Sequence, residues 1–401
     1  MNRNAEMVMP RINLLTTAGA VEPYTLRGAR SWSPPAKPAF NRVAFSAAHV
    51  VADARSAADP WVEAAVDWDA TLRYREHLLS LGLGVAEAMD TAQRGMGLDW
   101  PTSLELIRRS LDAARDVPGA RVASGCGTDH LAPEDARGID DVIRAYEEQM
   151  AAIEGLGGRL IVMASRALAR VARGPADYER VYDRILGQAR EPVILHWLGD
   201  MFDPALKGYW GSGDVDAAMR TALGVIAAHP DKVDGIKISL LDKDKEIAMR
   251  RRLPEGVRMY TGDDFNYAEL IAGDGVGQLP THQHSDALLG IFDPIAAAAS
   301  AALAELAEGN VERFHTILGS TVPLSRHIFQ APTRFYKTGV VFMAWLNGQQ
   351  SHFTMVGGQQ SARSLVHFAE LFRLADAADL LQRPELATHR MRTLLALHGI
   401  E

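Results

Sequence analysis

From Arg42 onward the chain repeats one pattern: a short apolar run, a polar loop, then a stretch whose apolar positions recur every three to four residues. The runs are Val43-Ala-Phe-Ser-Ala47, Gly84-Val-Ala-Glu-Ala-Met89, Arg121-Val-Ala-Ser124, Leu160-Ile-Val-Met163 and Pro192-Val-Ile-Leu-His196, then Gly235-Ile-Lys-Ile-Ser239, Val257-Arg-Met-Tyr-Thr261 and Gly275-Val-Gly-Gln-Leu279. Runs this short and apolar predict buried strands, and the periodic stretches between them predict amphipathic helices, among them 68–81, 101–114, 133–153, 175–189 and 214–228. Strand–helix alternation of this kind makes a parallel sheet. Eight units within about 250 residues match the count and size of a (β/α)8 barrel. The rival, an open doubly wound sheet, wants a Gly-x-Gly-x-x-Gly turn after the first strand, and none is present.

The flanks differ. Residues 1–41 form an irregular N-terminal extension in which Ile12–Leu15 and Tyr24–Leu26 can pair as a hairpin. The barrel domain spans 42–320. From Asp293 the pattern is helical, and 321–401 read as a C-terminal helical extension whose apolar positions, such as Phe368, Leu371 and Phe372, suggest packing between copies in a homo-oligomer.

Composition narrows the function. Among 401 residues, hydrophobic ones make up 47% and charged ones 23%, the balance of a water-soluble globular protein. A net charge of -8 without a Lys/Arg cluster argues against nucleic acid as a partner. No apolar run reaches membrane-spanning length and no signal-peptide core is evident, so no membrane partner is expected. A lone Cys126 excludes an internal disulfide framework and suits a reducing cytoplasm.

In a barrel, chemistry gathers where strands hand over to the loops that follow them. Lys237 stands mid-strand in Val233-Asp-Gly-Ile-Lys-Ile-Ser-Leu-Leu241, where period-two alternation puts Gly235, Lys237 and Ser239 on one face and Ile236, Ile238 and Leu240 on the other. A buried lysine is pushed toward its neutral form, and a neutral amine can attack a carbonyl to form a Schiff base; a strand-end lysine that snorkels to water is the plainer reading. His196 shares the inward face of its strand with Ile194 and is placed for general acid–base work, assisted by Asp90 or Thr91. Tyr260, Gly262, Asp263, Asp264, His282, His284 and Ser239 complete the expected substrate-binding set, although Asp263 and Asp264 could equally cap a helix. Cys126 reads as a packing residue, because its glycine neighbours offer nothing to lower the thiol pKa.

Three of these stretches together resemble the dihydrodipicolinate synthase/N-acetylneuraminate lyase family of class I aldolases. Glu191-Pro-Val-Ile-Leu-His196 is similar to that family's strand five, Val233-Asp-Gly-Ile-Lys237 to its strand six with the Schiff-base lysine, and Tyr260-Thr-Gly-Asp-Asp264 with Gly273-Asp-Gly-Val-Gly277 to strands seven and eight. Asp90-Thr-Ala-Gln-Arg-Gly95 and Ala331-Pro-Thr-Arg-Phe-Tyr-Lys337 resemble motifs of a divergent branch, DUF993. The resemblance implies a lyase in which Lys237 is the nucleophile. It also marks departures: His196 replaces the acid/base tyrosine, Met201 the arginine of the strand-five loop, and Ala88-Met-Asp-Thr-Ala-Gln93 the Gly-Thr-Thr-Gly-Glu loop.

Two enzyme readings follow. In one, a small keto acid or keto sugar forms a Schiff base on Lys237, and no cofactor is expected. In the other, His196, His282, His284 and Asp90 or Asp264 hold a divalent metal for an aldolase or sugar isomerase, and Lys237 stabilises an enediolate. A barrel that merely binds a metabolite and regulates a partner is the non-catalytic rival.

Overall fold

A computed structural model describes residues 9–28, 32–275 and 279–400. Strands β1 (Arg11–Leu15) and β2 (Val21–Thr25) form the expected antiparallel hairpin, with Ile12 opposite Tyr24. The next eight are β3 (Ala44–Ala47), β4 (Gly84–Glu87), β5 (Val122–Cys126), β6 (Arg159–Val162), β7 (Val193–Leu198), β8 (Val233–Ser239), β9 (Arg258–Thr261) and β10 (Asp286–Leu289). All pair in parallel with their sequence neighbours, and β10 closes on β3, so the sheet is an eight-stranded barrel.

The helices within the barrel region are α1 (Trp68–Ser80), α2 (Trp100–Ala114), α3 (Ile139–Gly155), α4 (Arg166–Val171), α5 (Pro175–Gln188), α6 (Val215–Ala228), α7 (Lys243–Arg250), α8 (Tyr267–Ala272), α9 (Ala296–Ala307) and α10 (Val311–Ser320). Several begin where an aspartate caps the first turn: Asp67 accepts from the Ala70 N–H, Asp99 from Thr102 and Asp214 from Ala217. The helix expected over 133–153 begins only at Ile139. A 3₁₀ turn, Pro133–Asp135, and an extended Gly138 separate it from the proline.

Alternation along the strands sorts residues into two cores. Phe45, Ala86, Ala123, Ile161, Ile194, Tyr260 and Leu288 fill the barrel interior, whereas Val193, Leu195, Trp197, Ile236 and Ile238 face the helices. His196 and Lys237 are paired in register on neighbouring strands, so both project inward, as their alternation predicts.

The eighth strand corrects the sequence reading. It is Asp286–Leu289, not Gly275–Leu279; Val276, Gly277 and Gln278 lie outside the described residues, and the chain at Gly275 and Leu279 is irregular. Two glycines in five residues with a proline at 280 supply little strand propensity, while Asp286-Ala-Leu-Leu289 finds two partners at once in β9 and β3.

After the barrel come α11 (Val322–Ile328), α12 (Tyr336–Leu346), α13 (Leu365–Ala377) and α14 (Pro384–Leu397). The apolar positions expected to join copies of the chain are spent internally: Phe368, Leu371 and Phe372 are buried in the same core as Ile12 and Leu14. The N-terminal hairpin docks there through Asp376, which accepts from Tyr24 Oη at 2.6 Å and from the Arg27 N–H at 3.0 Å. Every residue of α12 is buried, the signature of a helix inserted into a core rather than laid on a surface.

Beneath the first loops, Arg75 of α1 and Glu87 of β4 form a fully buried bidentate pair at 2.9 and 2.8 Å, and Arg75 also donates to the carbonyl of Ala48 at 3.4 Å and to that of His49. Removing one partner leaves the other charge buried and unmatched, which costs several kcal/mol. Arg75→Ala is therefore expected to lower the unfolding free energy by about 3–5 kcal/mol, read from denaturant titration; a loss no larger than that of an exposed pair would show that water replaces the guanidinium.

Candidate active site

The C-terminal ends of the strands carry a floor of ionisable groups. His196 Nε2 lies 3.3 Å from Ser239 Oγ, two residue pairs beyond its register partner Lys237. Lys237 is 4% exposed, and its stem passes over Gly262: a Cβ on that glycine would sit 2.8 Å from Lys237 Cε, 2.6 Å from the Ile238 carbonyl, and in collision with Ser239 Oγ. Glycine at 262 is thus the space through which the lysine reaches inward. Lys237 forms no direct ion pair with a described residue; Asp90 and Asp264 act on it through space.

The charges tune one another. Burial lowers the Lys237 pKa below its ordinary value, with Asp90 and Asp264 opposing. Burial also drives His196 well below 6.5, and Lys237 adds to this, so its imidazole is neutral at physiological pH. For Asp90, burial pushes upward, yet Lys237, Lys337 and His196 outweigh it and the net shift is down, to a carboxylate. Asp264 goes the other way: burial lifts it to about 8, so its carboxyl holds a proton at neutral pH while its Oδ1 accepts from the Ile291 N–H at 2.9 Å. Two aspartates beside one lysine thus occupy opposite protonation states.

Above this floor opens a cavity of about 360 Å³ whose wall includes Asp90, His196, Tyr336 and Lys337. Lys237 is not on that wall; it lies in the buried layer with Gly262. Thr91 reaches the rim of the floor, its Oγ1 2.6 Å from Tyr336 Oη. Arg94 is held away from ligand duty by Asp129, with a fork at 2.9 and 2.7 Å, and by the ring of Trp100 5.0 Å away.

Four expected ligands are elsewhere. Tyr260 points toward the strand starts, donating to Asp234 Oδ2 at 2.6 Å, because its position on β9 aims it down the barrel beside Phe45. Asp263 is tied up in the turn ahead of α8: its Oδ1 accepts from the N–H groups of Phe265 and Asn266 at 2.8 and 3.0 Å, and its Oδ2 from Asn266 Nδ2 at 2.8 Å. His282 and His284 precede β10 instead of following the eighth strand, so they sit at the opposite end of the barrel from His196. His282 is exposed, and His284 is buried near Arg42, Arg250 and Asp286, with burial and the two arginines lowering its pKa to about 4. The proposed His196–His282–His284 metal set is therefore not assembled, and among the described residues no group of three or more His, Cys, Asp or Glu side chains is arranged around an ion.

Tyr336 and Lys337 were not expected at the site. They arrive from the C-terminal extension at the first turn of α12; the signals for them in the chain are the Ala331–Lys337 stretch that resembles a DUF993 motif and a lysine opening an otherwise apolar helix, Tyr336-Lys-Thr-Gly-Val-Val-Phe-Met-Ala-Trp-Leu346.

A family model described as "Protein of unknown function (DUF993)" matches residues 12–400. Solved structures of similar fold include a putative dihydrodipicolinate synthetase from Pseudomonas aeruginosa, with TM-score 0.61 and 15% identity over 84% of this chain and 99% of that one. The dihydrodipicolinate synthase of Aquifex aeolicus gives TM-score 0.57 and 13% identity over 90% and 98%. YagE from E. coli K12, a prophage protein of the dihydrodipicolinic acid synthase family solved with pyruvate, gives 0.60 and 14% over 90% and 99%. At these identities the likeness establishes the fold.

Cys126, at the end of β5, is fully buried, with Sγ 3.9 Å from the Tyr146 carbonyl, and burial pushes its thiol up to about 12. The native protein is expected to resist thiol reagents at mildly alkaline pH and to react fully once unfolded; rapid labelling of the folded chain would show a reactive thiolate beside the mouth.

Proposed function

The chain belongs to the DUF993 family and has the dihydrodipicolinate synthase fold, and from these and the site's geometry we propose that it is a Schiff-base-forming lyase of the class I aldolase type, acting on a small keto acid or keto sugar. The observation that carries this reading is an inward amine with no direct counter-ion, in register with a neutral imidazole and near a carboxylate.

In this reading neutral Lys237 Nζ attacks the substrate carbonyl carbon, and the carbinolamine takes up one proton from solvent as its hydroxyl leaves as water, which gives the iminium. The Asp90 carboxylate offsets the new positive charge. His196, uncharged, accepts the proton of the hydroxyl on the carbon beyond the bond to be cleaved. As that hydroxyl becomes a carbonyl, the carbon–carbon bond breaks and its electron pair enters the iminium to give an enamine. The enamine carbon is then protonated, and water adds to the regenerated iminium to free the amine. Substrate reaches Lys237 from the cavity past Asp90 and His196. The buried, unpaired Cys126 fits a reducing, cytoplasmic setting for this enzyme.

Borohydride reduction in the presence of candidate keto acids and keto sugars is expected to trap a covalent adduct mapping to Lys237, with none on Lys237→Ala. The yield should rise with pH about a midpoint below the 10.5 of an ordinary lysine, because only the free amine attacks. Equal adducts on both proteins would end the proposal. His196→Ala is expected to keep the trapped adduct yet lose about 10²–10⁴-fold in turnover, which steady-state kinetics would read; unchanged turnover would remove His196 from the proton path.

A further inference from the structure

Lys337 is the one cation on the cavity wall that is both buried and without a carboxylate partner in contact. It is 2% exposed, and its Nζ lies 3.3 Å from Met96 Sδ, a thioether that accepts hydrogen bonds poorly. The other cations of the wall are occupied or peripheral. Arg166 Nε pairs with Asp203 at 2.5 Å, Arg94 is forked onto Asp129, and Arg334 is exposed at the rim over the Phe335 ring. Asp90 and Asp203 favour the ammonium only through space and Arg166 opposes it, so a buried cation facing a cavity with a thioether as its direct contact still has unmet donors. The same turn adds a second, independent feature. α12 begins at Tyr336 with no acidic residue in its first turn and no side-chain cap, so the positive end of the helix also borders the space that Tyr336 and Lys337 line.

We infer that Lys337, with the first turn of α12, holds an anionic group of the substrate, a carboxylate or a phosphate, in the mouth of the barrel. This rests on the cavity being the substrate site, as in the preceding reading, but not on Lys237 being its nucleophile. The inference assigns to the C-terminal extension a binding role and leaves the barrel floor to handle the carbonyl. A cavity of about 360 Å³ suits a small metabolite with its anionic end at Lys337 and its carbonyl toward His196 and Asp90. Burial holds the Lys337 pKa down at about 8, so the amine is mostly charged at neutral pH and loses its charge in the mildly alkaline range. A bound anion would favour the charged form, and anion affinity should therefore fall as pH rises through that range.

The test is isothermal titration of the full chain with inorganic phosphate and, separately, with succinate. At neutral pH at least one anion is expected to bind the wild type saturably and to bind Lys237→Met with similar affinity. Lys337→Met should bind it at least tenfold more weakly, and Lys337→Arg should retain most of the affinity. Phosphate binding without succinate binding would identify a phosphorylated substrate, and the converse a dicarboxylate-like or keto-acid substrate. If Lys337→Met does not fold, the pH dependence of the wild type and the retention in Lys337→Arg still decide the matter. No saturable binding of either anion by the wild type, equal binding by Lys337→Met, or affinity that does not change across the alkaline range would overturn the inference. Loss of borohydride trapping at Lys237 with intact anion binding would instead overturn only the lyase reading.

Discussion

The structure depends on enclosing an amine inside a closed parallel sheet. Burying Lys237 makes its charged form costly, and the surroundings respond: Asp90 and Asp264 act on it through space, His196 is kept uncharged beside it, and Gly262 surrenders its side chain so that the stem can pass. None of these groups would have an unusual pKa on a surface. Closure of the barrel brings four strand ends and their loops to one place, and low solvation there turns ordinary side chains into a set of distinct acids and bases.

Much of the barrel was legible because its signals are local. Alternation along Pro192–His196 and Gly235–Ser239 fixed which side chains face inward, and the register of β7 against β8 agrees with it. The misreading at the eighth strand had a global cause. Gly275–Leu279 and Asp286–Leu289 are both short and partly apolar, and what selects the second is simultaneous pairing with β9 and β3, a property of closure that no single segment displays. That displacement moved His282 and His284 from the expected mouth to the opposite end. The expectation for Tyr260 rested on its place near the end of a strand, which does not say that its hydroxyl reaches down to Asp234 rather than up.

The site's upper half was hidden for a different reason. Tyr336 and Lys337 are remote in sequence from every strand, and helical periodicity says only that α12 is apolar on all sides. Tyr336 is held in place by stacking on Phe329, with ring centroids 4.3 Å apart, and by its hydroxyl contact with Thr91, the second a long-range packing outcome. A lysine in so apolar a helix conflicts with its neighbours, and such local inconsistency is where functional demands tend to show.

The placement of α12 has a temporal side. During synthesis the eight strands emerge first and can close around their own interior, but the ceiling over that interior begins at Tyr336, 47 residues after the last strand ends at Leu289. Until Tyr336–Leu346 leaves the ribosome and seats itself, the nascent barrel has its buried amine roofed by nothing but solvent and loops. The cavity between floor and ceiling is thereby completed only late in translation, and its assembly is coupled to folding of the tail.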